Sequence, residues 1–172
     1  MKRTAFVSAS VAVALMMGSR SIPLAQRQND VPDAVVISGE LRQWHKVTLT
    51  LNGPPADETS NAPNPFMDYR MTVTFSHESG SPRYTVPGYF AGDGNAANSS
   101  ATSGNKWRAH LAPDKTGRWN YRISFVSGRG VALAASGTGQ PLAPFDGKTG
   151  AIQIGSTDKR APDQRSPSSR CR

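Results

Sequence analysis

The side chains able to do acid–base or metal chemistry are scattered along this sequence. Hydrolysis of a glycosidic bond needs two carboxyl groups held roughly 5 to 9.5 Å apart across the sugar. Asp57 and Glu58 are instead immediate neighbours in a Pro-rich stretch, the setting of solvated loop carboxylates. Asp68, close after Phe66, and Asp114, directly after Pro113, stand where a short carboxylate ordinarily accepts backbone N–H bonds and builds a corner. Asp93-Gly94-Asn95 has the beginning of a calcium loop but lacks the later bidentate glutamate, so a turn is expected there. His45, His77 and His110 fall on different strands or strand ends, with no His or carboxylate at zinc-ligand spacing. Cys171 is the sole cysteine and the penultimate residue, and no Gly-x-Ser-x-Gly occurs, so acyl transfer has no nucleophile. Gly147-Lys148-Thr149 looks like the end of a phosphate loop, yet Leu142 stands where its first glycine must be. Asn98-Ser99-Ser100 is a formal glycosylation acceptor. No catalytic residue, metal or cofactor is expected.

Aromatic side chains remain. Sugar rings lay their C–H faces on flat side chains while polar loop groups read the hydroxyls. Tyr89 and Phe90 flank the Gly-rich Ala91–Asn95 segment, where they could project. With Tyr84 and Val86 they would form an apolar patch, so Tyr84, Tyr89 and Phe90 are the candidates for sugar contact or domain docking. Trp107, Trp119 and Tyr121 follow a core alternation instead.

The elements that must position these residues are strands. Between Trp107 and Phe125, Trp119, Tyr121, Ile123 and Phe125 alternate with Arg118, Asn120, Arg122 and Ser124, a period of two that puts every large apolar group on one face. Trp107, Ala109 and Leu111 alternate likewise, and Pro113-Asp114 with Gly117 supplies the turn chemistry of a hairpin corner. Tyr69–Ser76 and Gln43–Leu51 give two further strands, the latter stopped by Asn52-Gly53-Pro54-Pro55. Short strands are expected at 34–38, 83–86, 131–134 and 151–154. Loops are expected at 56–65, 96–105 and 137–150. Seven or eight short strands separated by turn signals, with no convincing helix, predict an all-β antiparallel β-sandwich.

At 172 residues the chain accommodates one domain with tails. Lys2 and Arg3 precede an uncharged, largely apolar run from Thr4 to Ser19, which reads as a secretory signal peptide over residues 1–25. It is shorter than the roughly 20 residues of a spanning helix, so no stable membrane anchor is expected; the address is secreted or periplasmic. Ser19-Arg20-Ser21 fits the small-x-small pattern before cleavage, and Ala25, preceded by Pro23, matches it less well, so the exact cut is left open. The net charge of +8 lies mostly in the ends. Residues 1–30 hold four basic and one acidic residue, 31–155 eleven and nine, and 156–172 five and two. A folded part so nearly balanced argues against nucleic acid as a partner. The domain is placed at 35–155, and the Asp/Lys/Arg/Pro/Ser-rich stretch 156–172 is expected to be disordered.

The sequence resembles a known family, the immunoglobulin-like accessory domain (domain of unknown function 5060) at the N-terminus of secreted proteins classed with the glycoside hydrolases. Gln43–Pro54, with Trp44 and Pro54, carries the first part of the resemblance; Asn64-Pro65-Phe66-Met67-Asp68 and Val86–Gly94, with Pro87, Gly88, Asp93 and Gly94, carry the second. Lys106-Trp107-Arg108 and Pro113–Tyr121, with Gly117, Trp119 and Tyr121, complete it. The resemblance implies an immunoglobulin-like sandwich followed by an apiosidase-like catalytic barrel, toward which 156–163 would be the link. A frameshift or early stop before that barrel is the expected origin of this chain, a short protein that keeps only the accessory domain being the alternative. What the resemblance implies is a non-catalytic module that packs on a barrel and aids polysaccharide binding. An independent glycan-binding or adhesion module is the alternative function.

Overall fold

The computed structural model describes residues 34–159. They form two antiparallel sheets stacked as a β-sandwich. One sheet runs, in spatial order, β1 (Val35–Gly39), β2 (Val47–Asp57), β6 (Ser103–Leu111) and β5 (Tyr89–Phe90). The other runs β4 (Arg83–Pro87), β3 (Tyr69–His77) and β7 (Gly117–Ser127), with β8 (Gln140–Pro141) and β9 (Thr149–Ile154) following one another along the far edge of β7. Side chains of a strand alternate between faces, and the apolar ones converge between the sheets. Val47, Leu49, Leu51, Trp107, Ala109 and Leu111 meet Met71, Val73, Phe75, Trp119, Ile123 and Phe125 there. Burial of each Val, Leu, Ile or Phe contributes about 1.5–3 kcal/mol. Packing must carry this fold, because a chain with one cysteine has no internal disulfide.

The stretch from Trp107 to Phe125 is not a hairpin. β6 pairs with β2 and β5, while β7 pairs with β3, β8 and β9. The 112–116 corner therefore carries the chain from one sheet to the other. Its proline, aspartate and glycine serve a sheet-to-sheet crossing as readily as a hairpin, which is why the local signal was ambiguous. Four further expectations change. β2 continues through Asn52-Gly53-Pro54-Pro55 to Asp57, with a register shift between Asn52 and Ala56 that absorbs the two prolines as a bulge does. Residues Val131–Leu133 are a 3-10 turn, not a strand. Ala96–Ser99 forms a single helical turn, and Ser103 already begins β6, so the expected 96–105 loop is shorter. The strand count among the described residues is nine. The exit differs as well: residues 156–159 of the expected tail belong to the described structure, where Asp158 and Lys159 are hydrogen-bonded. The 1–25 leader and residues 160–172 lie outside the described residues.

Candidate functional site

Tyr89 and Phe90 occupy a two-residue strand against Trp107 and Arg108, so alternation sends them to opposite faces. Phe90 is 5% exposed and its ring lies 5.2 Å from that of Trp107; it is a core residue, not a sugar contact. Tyr89 is 45% exposed. Tyr84 and Val86, on β4, pack against the core from the edge. Tyr84 stacks on Trp119 at 5.9 Å and donates its hydroxyl to Asp114 Oδ2 at 2.6 Å. The expected patch of Tyr84, Val86, Tyr89 and Phe90 is thus divided, with Tyr89 its one outward member. Its true neighbour is Phe66, 53% exposed. Both line a groove of about 300 Å³ floored by Met71, Gly88 and Trp107. Sequence placed Phe66 among structural residues, because nothing in a lone aromatic after a proline announces exposure.

Behind Tyr89 lies a polar relay. Its hydroxyl is 3.0 Å from His110 Nε2, and His110 Nδ1 is 3.0 Å from Thr48 Oγ1. Burial, reinforced by Lys46 and Arg108, pushes the His110 imidazole below its ordinary pKa.

The carboxylates are engaged in building loops. Asp68 accepts the Asn64 and Gly130 N–H groups at 2.9 and 2.8 Å; those two bonds, chiefly the one from Asn64, hold its pKa below the usual value. Asp57 is lowered by Thr59, whose hydroxyl and N–H it accepts. Asp93 is lowered mainly by Ser99 Oγ–H and next by Asn95 N–H, which makes Asp93-Gly94-Asn95 the turn that was expected. Asp114 departs from expectation. It takes Tyr84 Oη–H rather than a backbone N–H, and its buried Oδ1 accepts nothing among the described residues. Bonded to Asp114 and partly desolvated, the Tyr84 hydroxyl is raised above its ordinary pKa.

The remaining signature residues build the frame. Asn64 Oδ1 accepts the Phe66 and Met67 N–H groups, which folds the Asn64-Pro65-Phe66 turn. Pro54 O accepts Trp107 Nε1–H at 3.0 Å, and Lys115 O accepts Trp119 Nε1–H at 3.0 Å, so both buried indoles are satisfied. Pro87 pairs with Thr72, and Gly88 N–H reaches Met71 O. Gly94 and Gly117 have φ of 85° and 112°, values that favour glycine. Pro113 is buried and its carbonyl accepts Trp44 N–H. Tyr121 is buried, and its hydroxyl meets Gly150, where no Cβ could fit.

At the end of the sandwich where β9 finishes, tertiary folding gathers groups that sequence spacing keeps apart. His45 Nδ1 lies 3.2 Å from Glu40 Oε2, and His45 Nε2 lies 2.7 Å from Asp158 Oδ1. Ligand atoms of the three residues lie within 4.8 Å of one another, close enough for a cation to bridge. Arg42 Nη1, 3.1 Å from Asp158, and Lys159 Nζ, 2.7 Å from Trp44 O, put positive charge beside the cluster, against a divalent ion. The bond from His45 is the main cause of Asp158's lowered pKa. Trp44 takes a left-handed φ of 65° and is 45% exposed, next to the partly exposed Leu41.

Among the described residues no helix is long and apolar enough to cross a membrane. No curated protein matches the chain. The crystal structure of a "putative glycoside hydrolase" from Bacteroides vulgatus ATCC 8482 aligns with 69% of this chain at 21% identity and a TM-score of 0.44, the shared part being 16% of that chain. The family profile described as domain of unknown function DUF5060 matches residues 40–126. That match spans just over half of the 172 residues, and the chain belongs to the DUF5060 family.

Proposed function

We propose that this chain is a non-catalytic accessory module of exported carbohydrate-active enzymes of the glycoside hydrolase class, built to pack against a catalytic barrel. The supporting observation is where two of the exposed apolar side chains fall relative to the chain's path. Leu41 and Trp44 stand at the end where Gly155 pairs with Leu41 and Gln43 and where Lys159 is held by Trp44 O. Both residues thus lie beside the segment that leads out of the sandwich. The loop-building duties of Asp57, Asp68 and Asp93, with Asp114 taken by the Tyr84 hydroxyl, fit a module that leaves chemistry to its neighbour. The purified chain is expected to release no reducing ends from a panel of polysaccharides or aryl glycosides. Turnover abolished by Asp114→Asn in a still-folded protein would overturn this reading.

A second reading, direct glycan binding, draws on Phe66 and Tyr89, two exposed aromatics on one groove. Stacking on both rings would let the domain hold a neutral polysaccharide. Retarded migration in gels containing neutral plant or algal polysaccharide, lost in Phe66→Ala and Tyr89→Ala, is the expected result. Equal migration across the panel would leave docking as the module's task.

A further inference from the structure

The outer face of the second sheet carries a feature that neither reading uses. The alternation that buries Trp119, Tyr121 and Ile123 turns Arg118, Asn120 and Arg122 to solvent on β7. In register beside them, Ser76 stands between Arg83 and Asn120, and Thr74 and Thr149 stand on either side of Arg122. Three guanidinium groups thus frame a shallow depression of about 450 Å³ floored by hydroxyls and an amide, with no carboxylate among its lining residues. Glu78, whose Oε1 accepts the Arg118 backbone N–H, does not line it.

Among the described residues, three other arginines are put to structural use. Arg70 donates to the carbonyls of Val131, Ala134, Ala135 and Thr138, Arg108 to Thr50 and Gly94, and Arg42 to Asp158. The guanidinium groups of Arg83, Arg118 and Arg122 have no hydrogen-bond or ion-pair partner among the described residues. Like charges gathered on one sheet face oppose folding slightly, and arginine's planar fork suits bidentate contact with an oxyanion. We propose that this face binds the carboxylate or sulfate groups of an acidic polysaccharide, the hydroxyl and amide floor meeting the sugar hydroxyls. Nucleic acid fits less well. The described residues hold twelve Lys/Arg against nine Asp/Glu, and the one aromatic lining the depression, Tyr121, is buried, which leaves bases no open ring to stack on. The proposal rests on the carbohydrate-associated reading above and names the class of glycan.

The full chain should be run in gels containing polygalacturonate, its fully methyl-esterified form, a sulfated galactan and a neutral glucan, with duplex DNA as a separate competitor. Retardation by polygalacturonate but not by its ester would assign a uronate, and retardation by the galactan alone a sulfate. In either case Arg118→Gln/Arg122→Gln should raise Kd at least about tenfold, the scale of a lost bidentate charge contact, with an unchanged Tm. Arg129→Gln, on an exposed turn outside this face, should bind like the parent. The proposal falls if no acidic polymer retards the chain, if the double variant binds unchanged, or if duplex DNA competes equally well through the same arginines. Retention by the neutral glucan that ignores the arginine changes would sink this site while leaving the carbohydrate module standing.

Discussion

At the scale of single residues, the strongest lesson is the division between Tyr89 and Phe90. Adjacent and both aromatic, they are opposite in energetics because one peptide unit turns one inward and the next outward. Phe90→Ala should cost about 3–5 kcal/mol through the cavity left beside Trp107. Tyr89→Ala should cost less than about 1 kcal/mol, as exposed substitutions do. Urea midpoints at constant slope would distinguish the two, and equal losses would contradict the assignment. His77 is a second case. Its Nε2–H reaches Thr116 O at 2.9 Å, its Nδ1 accepts the Ser79 N–H at 3.1 Å, and its ring sits edge-on to Trp119 at 5.4 Å. These partners fix the tautomer and make the residue a buried brace of the corner. His77→Phe should lower stability by about 1–3 kcal/mol, because Thr116 and Ser79 would lose their partners.

At the scale of elements, β3, β7 and β9 were legible because their alternation is uninterrupted, and the five buried apolar residues of β3 and β9 fall where a period of two puts them. Pairing was less legible. Whether Trp107–Leu111 joins Trp119–Phe125 or leaves it for another sheet depends on partners such as Leu51 and Ile123 far along the chain, and no local pattern records that choice. The same reason hid the sheet-edge role of 142–148. There Asp146 Oδ1 accepts the Phe125 N–H at 2.8 Å and spans the gap between β8 and β9. The relay across β2, β6 and β5 also arises only from pairing, and it carries a pH signature. The His110 pKa is depressed in the folded state, so its contribution to stability is complete above the ordinary imidazole value and declines as pH falls from there through the folded value. Imidazole proton shifts in an NMR titration should place His110 below an unfolded histidine; a midpoint at or above the ordinary value would refute the partial burial of the relay.

At the scale of the whole molecule, the exit end was the least legible part, since 113 residues separate His45 from Asp158 and the expected disorder began at 156. Asp158 is depressed in the folded state, so its contribution is present above the ordinary aspartate value and is lost as pH falls through the folded one. Acidification below the ordinary carboxylate range should therefore free residues 156–159 before the sheets unfold. Amide exchange should quicken at Gly155, whose N–H bonds to Leu41 O, and at Gln43, whose N–H bonds to Gly155 O, while amides of β7 stay protected. Simultaneous loss at both places would mean that the exit is no separate unit. Gly155 is stitched to the segment ahead of β2, and Asp158 and Lys159 are fastened to Arg42, His45 and Trp44. Tension applied at Lys159 would consequently be shared between both sheets at once, so the sandwich would resist a pull from that side as a single mechanical block, and its direction of departure would be set by the domain itself.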